Sequence, residues 1–329
     1  MSNRCGRNPV ILLGVEGTYG TQQKTPTVKS GCTFNFNNIV SPVEVPRKTG
    51  QITAQVMESV QGNKYTDGTL EGTLTKSMLE ILLRAMTGTT TGTPWVHVNS
   101  CLREGLTIYQ YYHDPAVVIG TTNGDKFNVV SGCIVSQLTL SAAPNDTVKF
   151  SATVKGRPAR RDLTNVSTEI LVFTGLPDTD PSHPNDYIAK WGDITATLGA
   201  GAAISKFNGF SLTLTNELCG DEYLFQNSDE IQNPLIATAG GSLTASWIFD
   251  DTKDPTVYAN LQGTLQADTI VILFGIVNQF TIVTNGIIEG YETPDPGNCL
   301  VVGNMTKMLK GDIISTNMLS VAYLDLTPE

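Results

Sequence analysis

Histidine is scarce in this chain. His97, His113 and His183 are the only three among 329 residues, and no two stand at the i, i+4 spacing that puts a pair of imidazoles on one metal ion. They read as solvated or packed rings rather than ligands or proton shuttles. Cysteine chemistry is missing too: Cys5, Cys32, Cys101, Cys133, Cys219 and Cys299 are scattered, with no Cys-x-x-Cys and no neighbouring His, as buried or idle thiols of a reducing compartment would be. Long apolar runs are lacking. Ile270 to Val277 is the longest and is bounded by Asp268 and Asn278-Gln279, so no membrane span is expected. The opening MSNRCGRNPVILLG has too short an apolar run for a secretory signal, which leads us to expect synthesis in a cytosol, where the sequons at Asn145, Asn165 and Asn304 carry no meaning. Positive charge is short as well. With 21 Lys and Arg against 31 Asp and Glu the net charge is −10, so the chain as a whole should repel nucleic acid rather than hold it by counterion release.

Catalytic constellations are equally sparse. There is no Gly-x-Ser-x-Gly elbow, and neither Asp178-Thr179-Asp180 nor Asp250-Asp251 with Asp254 has the order of a Ca²⁺ loop. Glu16 and Glu58 lie on extended segments, but nothing in the sequence sets their separation as an acid–base pair. We therefore expect no enzyme, no cofactor and no metal. The stretch VILLGVEGTYGT, Val10 to Thr21, imitates a phosphate loop and fails in detail. Gly20 is followed by Thr21-Gln22-Gln23 where a P-loop needs Lys and Ser/Thr, and Gly14, Gly17 and Gly20 are spaced three apart instead of as Gly-x-Gly-x-x-Gly opening a helix.

What the chain does have is glycine (31), proline (16), much threonine and a repeated alternation of apolar and polar residues. Thr33–Asn37, Leu106–Tyr112, Gln137–Ser141, Lys149–Val154, Phe210–Thr215 and Ser242–Phe249 each place apolar residues at every second position and read as half-buried strands. Turn residues separate them, as in Asn123-Gly124-Asp125, Pro144-Asn145-Asp146, Asn208-Gly209 and Pro294-Asp295-Pro296-Gly297. One helix stands out: Ser77 and Glu80 form a capping box, Met78, Leu79, Ile81, Leu82, Ala85 and Met86 follow at helical spacing, and Gly88 offers a stop. The segment Pro177–Asp186 (PDTDPSHPND) has no packing side chain and reads as a linker. The elements on either side of it echo each other in order. That divides the chain into an arm (1–29), a first β domain (30–176), a linker and first-strand region (177–203) and a second, related β domain (204–329). The basic run KGRPARR, with Lys155, Arg157, Arg160 and Arg161, is either an electrostatic counterpart for an acidic face on a neighbouring copy or a solvated loop. Trp95, Trp191 and Trp247 sit near strand-like segments, which favours core or interface over an exposed binding loop.

Taken in order, VILLGVEGTYGT, TDGTLEGTLTKSMLEILLRAMTG, GCIVSQLTLSAAPNDTVKFSATVKGR, GFSLTLTNEL and AGGSLTASWIFDD resemble the tail tube (major tail) proteins of long-tailed bacteriophages. The resemblance covers most of the chain. Pro177–Asp186 and about Asn285–Asp312 fall outside it, the latter reading as a surface insertion. It implies a mostly β fold of two related β-sandwich or half-barrel domains, the first with a flanking helix. Copies would close into rings whose inner sheets join edge to edge, because open sheet edges are a liability that neighbouring subunits remove. It also implies a structural virion protein, assembled in the host bacterial cytoplasm into a hollow tail through which DNA passes as transient cargo. The implied partners are the chain itself, in rings of three two-domain copies or of six, together with tape measure and tail-end proteins; no membrane is involved. A β-sandwich decoration or receptor-binding virion protein is the alternative. On this reading Glu16, Tyr19, Arg157, Arg160 and Arg161 are the candidate inter-subunit contacts. The amino-terminal arm is expected to mediate stacking, so that loss of residues 1–21 stops stacking and leaves the fold soluble. The acidic balance is expected to give a channel wall that repels phosphate.

Overall fold

Phe150, Ala152 and Val154 are buried while the alternating Lys149, Ser151 and Thr153 are exposed or half-exposed, the signature of a strand with one face in a core and one in water. That pattern recurs along the chain. The computed structural model describes residues 9–45, 58–87, 95–96, 104–112, 126–163, 189–198, 202–203, 207–218, 236–248, 267–274, 280–292, 302–309 and 319–323, and they are mostly antiparallel β. His97, His113, His183, both acidic clusters and the linker Pro177–Asp186 lie outside them.

The strands of the first half are β1 (Val10–Val15), β2 (Val28–Ser30), β3 (Thr33–Val45), β4 (Glu58–Thr73), β5 (Trp95–Val96), β6 (Leu106–Tyr112), β7 (Lys126–Ala142), β8 (Lys149–Gly156) and β9 (Arg160–Leu163). Those of the second are β10 (Ile194–Leu198), β11 (Ala202–Ala203), β12 (Phe207–Leu218), β13 (Ile236–Ile248), β14 (Ala267–Phe274), β15 (Phe280–Glu292), β16 (Val302–Leu309) and β17 (Leu319–Tyr323). The two sets pair in the same way. In the first, β3 pairs β4, β4 pairs β8, β8 pairs β7, and β7 also pairs β6 and β9, with β1 on β6 and β2 on β1. In the second, β12 pairs β13, β13 pairs β16, β16 pairs β15, and β15 also pairs β14 and β17, with β10 on β14 and β11 on β10. Even the irregularities correspond: β7 bulges at Ser136 against β8, and β15 bulges at Glu289 against β16.

This repeat corrects one expectation. The segment from Asn285 to Asp312 is no surface insertion in its described part, because it forms most of the β15–β16 hairpin, the counterpart of β7–β8. Its mixed composition hid the alternation that β7 and β8 display.

The helix α1 runs Lys76–Thr87. Its cap is Thr75, whose Oγ1 accepts the Met78 amide at 3.3 Å, two residues earlier than the expected Ser77 box. Met78, Leu79, Ile81, Leu82, Ala85 and Met86 are all buried, so α1 lies with its apolar stripe on the sheet. The main core joins this stripe to Leu138 and Leu140 of β7, Leu212 and Leu214 of β12, Leu243 of β13 and Ile282 of β15.

The halves are tied directly by β7 and β12, which run antiparallel from Phe210↔Ala142 to Thr215↔Gln137. Asn216 seals the end of that junction. It is 5% exposed and its Nδ2 donates to the Met86 carbonyl (2.7 Å), in the last turn of α1, and to the Val135 carbonyl (3.2 Å). Asn216→Ala strands two buried carbonyls and should cost about 2 kcal/mol, seen as a lower urea midpoint with an unchanged slope. An unshifted midpoint would show that the junction does not depend on it.

Candidate assembly surface

The expected amino-terminal arm is, in its described part, a strand of the fold. β1 pairs β6 from Val10↔Tyr111 to Val15↔Leu106 on one side and β2 on the other, and Ile11, Leu12 and Leu13 are at most 1% exposed. Four consecutive apolar residues, Val10 to Leu13, are what a strand buried on both faces requires. The chain leaves β1 at Glu16, whose amide donates to the Gly105 carbonyl at 2.8 Å, and then folds back over β6.

Glu16 organises that return. Although it is a carboxylate, only 2% of it is exposed. Its Oε1 accepts the Gly132 amide and the Thr107 hydroxyl, both at 2.7 Å, and its Oε2 accepts the Gly20 amide at 2.6 Å. Burial pushes its pKa up, opposed by the hydrogen bonds from Gly132, Thr107 and Gly20 and by the nearby charge of Arg157. The two amides it captures belong to glycines with positive φ, Gly20 at +73° and Gly132 at +63°. Left-handed backbone at these points turns both N–H groups onto one carboxylate, and a side chain at either would be strained. A Cβ on Gly132 would also stand 3.0 Å from the Tyr19 ring. Of the glycines that imitate a phosphate loop, Gly20 thus does bind an anion, and the anion is the chain's own Glu16.

Around this centre the loop is held by many contacts. The Gln23 amide donates to Thr107 Oγ1, the Tyr109 hydroxyl donates to the Gln23 carbonyl, and Gln22 Nε2 donates to the Tyr109 oxygen, each at 2.8 Å. From the basic run, Arg157 donates to the Gly20 carbonyl at 3.4 Å and lies 5.7 Å from the Tyr19 ring centroid, while Arg160 donates to the Gln22 side chain. Four of the five residues singled out from the sequence, Glu16, Tyr19, Arg157 and Arg160, therefore meet in one cluster. Arg161 lies apart, 4.9 Å over the Phe36 ring on β3. Outward from the cluster Gly17, Thr18, Thr21 and Lys24 are exposed. Sequence reasoning missed Thr107, Gly132 and Asn216; a buried Thr or Asn within a strand gives no periodic signal.

The sheet made by β3, β4, β8, β7, β12 and β13 has two contrasting faces. One buries Phe34, Leu70, Ala152, Leu138 and Leu212 against the core. The other carries a cross-strand row, in pairing order Thr33, Glu71, Ser151, Thr139, Thr213 and Ser242, that crosses the β7–β12 junction without interruption. Thr139 and Thr213 hydroxyls meet at 3.3 Å across that junction, and Ser151 donates to Glu71 at 3.3 Å. Among the described residues, the charges on this face are Asp67, Glu71 and Glu217 against Lys149 and Lys155, which nearly cancel.

Among the described residues no three His, Cys, Asp or Glu side chains gather to hold a metal, and no helix is long and apolar enough to cross a membrane. Cys32 and Cys133 are buried thiols, Cys32 raised to about 11 by burial and Cys133 well above its ordinary range, so neither is a ready nucleophile. The architecture is thus a repeated antiparallel β fold with one hydroxylated sheet face and an ordered loop cluster. The chain belongs to the phage tail tube protein family, whose model matches residues 6–301. It is a structural component of the virion tail. No curated protein matches the chain.

Proposed function

We propose that the chain builds the tail tube as stacked rings of three copies, each copy supplying two tube domains, so that six domains surround one channel. The observation that carries this reading is the one-to-one repeat of strand pairings between the halves, down to matching bulges in β7 and β15. Two equivalent units per chain let three chains fill six positions. Assembly takes place in the host cytoplasm, and tape measure and tail-end proteins meet the two ends of the tube.

The channel wall, on this reading, is the hydroxylated face that crosses the β7–β12 junction. Its near-balanced charges revise the expectation of a strongly acidic wall. DNA slides past it because hydroxyls line most of the face and its two lysines, Lys149 and Lys155, are offset by Asp67, Glu71 and Glu217, so little net positive charge is left to displace the counterions condensed on the phosphates. Stacking contacts come from the loop 16–24, with exposed Thr18, Thr21 and Lys24 at its surface and Arg160 beside it on Gln22, while Arg161 lies farther off over Phe36. Glu16 and Tyr19 act on that contact from within, by fixing the loop's shape.

Native mass spectrometry of rings released from purified tubes tests the stoichiometry: a mass of three chains is expected, and six would overturn it. Density maps of the same tubes test the wall, which should be Thr139, Thr213 and their row; finding that row on the outer surface sinks the assignment.

A further inference from the structure

Among the described residues, the repeat leaves two sheet edges without counterpart partners. β12 is covered by β7, whereas β3, which occupies the same place in the first half, pairs only with β4 among the described residues. β7 accepts β12 beyond the point where β6 ends, on the edge opposite β8 and β9. β15 stands where β7 does, and past its pairing with β14, which ends at Ile287, that same edge has no partner among the described residues.

We propose, resting on the tail tube reading, that the open edge of β3 receives Gly290–Glu292 at the end of β15 from a second copy, antiparallel and in one defined register. That register follows from the intramolecular junction. The matching bulges equate Gln137, Leu138 and Thr139 with Gly290, Tyr291 and Glu292. Following the pairings across β8 and β4, and across β16 and β13, equates Asn37 with Thr213 and Ile39 with Thr215. Since Thr213 faces Thr139 and Thr215 faces Gln137, the second copy sets Asn37 against Glu292, Asn38 against Tyr291 and Ile39 against Gly290.

Features of the β3 edge fit this occupant. Gln110 donates to the Phe34 carbonyl at 3.1 Å, which closes the edge at that end and leaves the stretch beyond it for a strand. Val40, at the other end, is 46% exposed and is the one exposed large hydrophobic among the described residues. A groove of about 780 Å³ runs along β3 with Lys155 and Arg161 on its border against the single carboxylate of Asp67. The incoming stretch Glu289–Glu292 carries two carboxylates, Glu289 and Glu292, and no cation. A head-to-tail contact of this kind uses a different surface on each partner and so propagates until a ring closes.

Disulfide trapping in assembled tubes tests it. Residues directly opposite on neighbouring antiparallel strands have Cα atoms about 4.5–5.5 Å apart, inside the roughly 4.4–6.8 Å that a disulfide spans. The variant N37C/E292C should, on mild oxidation, convert largely to covalent oligomers that end at the ring size and revert with reductant. Co-assembled single variants N37C and E292C should give dimers, which form only between chains. The pair N35C/E292C, two residues out of register on the same face, should trap far less. Tubes in which N37C and E292C trap no more than either single variant does alone, or in which the out-of-register pair traps equally, overturn this junction and leave the tube reading intact. A wild-type chain that forms no rings would instead overturn the ring reading, and this junction with it.

Discussion

A chain lacking residues 1–21 should fail to fold, not merely fail to stack. The deletion removes β1, which fills the edge of β6 along six residue pairs and shares three more with β2. It also removes Ile11, Leu12 and Leu13, which are 0%, 1% and 0% exposed. Burying such side chains contributes about 1.5–3 kcal/mol each, so the three together represent roughly 5–9 kcal/mol. The whole stability of a domain is only about 5–15 kcal/mol. The deletion further takes Glu16 away from Thr107 and Gly132. Circular dichroism and urea unfolding of the truncated chain should show no cooperative transition. A soluble truncated chain with a normal transition would restore the reading of this segment as a detachable arm, and with it the expectation that its loss affects stacking alone.

Glu16→Ala should be the most damaging single substitution in the loop cluster. It leaves the Gly20 and Gly132 amides and the Thr107 hydroxyl without the carboxylate that accepts them. Each buried donor left unsatisfied costs about 1–3 kcal/mol, offset in part by no longer burying a carboxylate, for a net loss of ~2–4 kcal/mol. The loop 16–24 should then exchange its amide hydrogens much faster than β6 and β7 do. Acidity provides a second signature. Burial raises the Glu16 pKa above its ordinary 4.5, so the folded state holds the proton more tightly than the unfolded chain. Its contribution is therefore fully present below the unfolded value and is lost as pH rises through the folded value. Glu16→Gln has no such titration. The gap in Tm between wild type and Glu16→Gln should be widest below about pH 4.5 and shrink toward neutrality. A gap that grows with pH would mean that the hydrogen bonds and Arg157 outweigh burial.

Strands whose faces differ were legible from the residues alone. Leu106–Tyr112 is a strand with the expected bounds, and the alternations of β8, β12 and β13 stand where apolar and hydroxylated residues take turns. The helix was legible for the same reason, although its cap moved to Thr75, because capping depends on backbone direction as much as on residue type. β15 and β16 were not legible. Their sequence mixes Gly286, Asn304 and Lys307 among apolar positions, and only their pairing with β13 and β14 identifies them as the counterparts of β7 and β8. Among the candidate contacts, the clustering of Arg157 and Arg160 with Tyr19 was invisible, since 137 residues separate Gly20 from Arg157 and no periodicity spans such a distance.

The opening stretch VILLGVEGTYGT separates the two kinds of knowledge. Its residues by themselves determined that it departs from a phosphate-binding loop, because the Lys and Ser/Thr such a loop needs are missing after Gly20. Composition likewise determined a β-rich chain, because that property follows from residue type and short-range spacing. Only the tertiary structure decided that the stretch is a core strand followed by a bolted loop. It also decided that the anion facing the glycine amides is Glu16, and that the two halves share one strand pairing scheme. Those facts depend on partners 90 or more residues away, such as Thr107 at a separation of 91 and Gly132 at 116. Burial and hydrogen bonding act through space, and a linear pattern records them only where the same element supplies both sides.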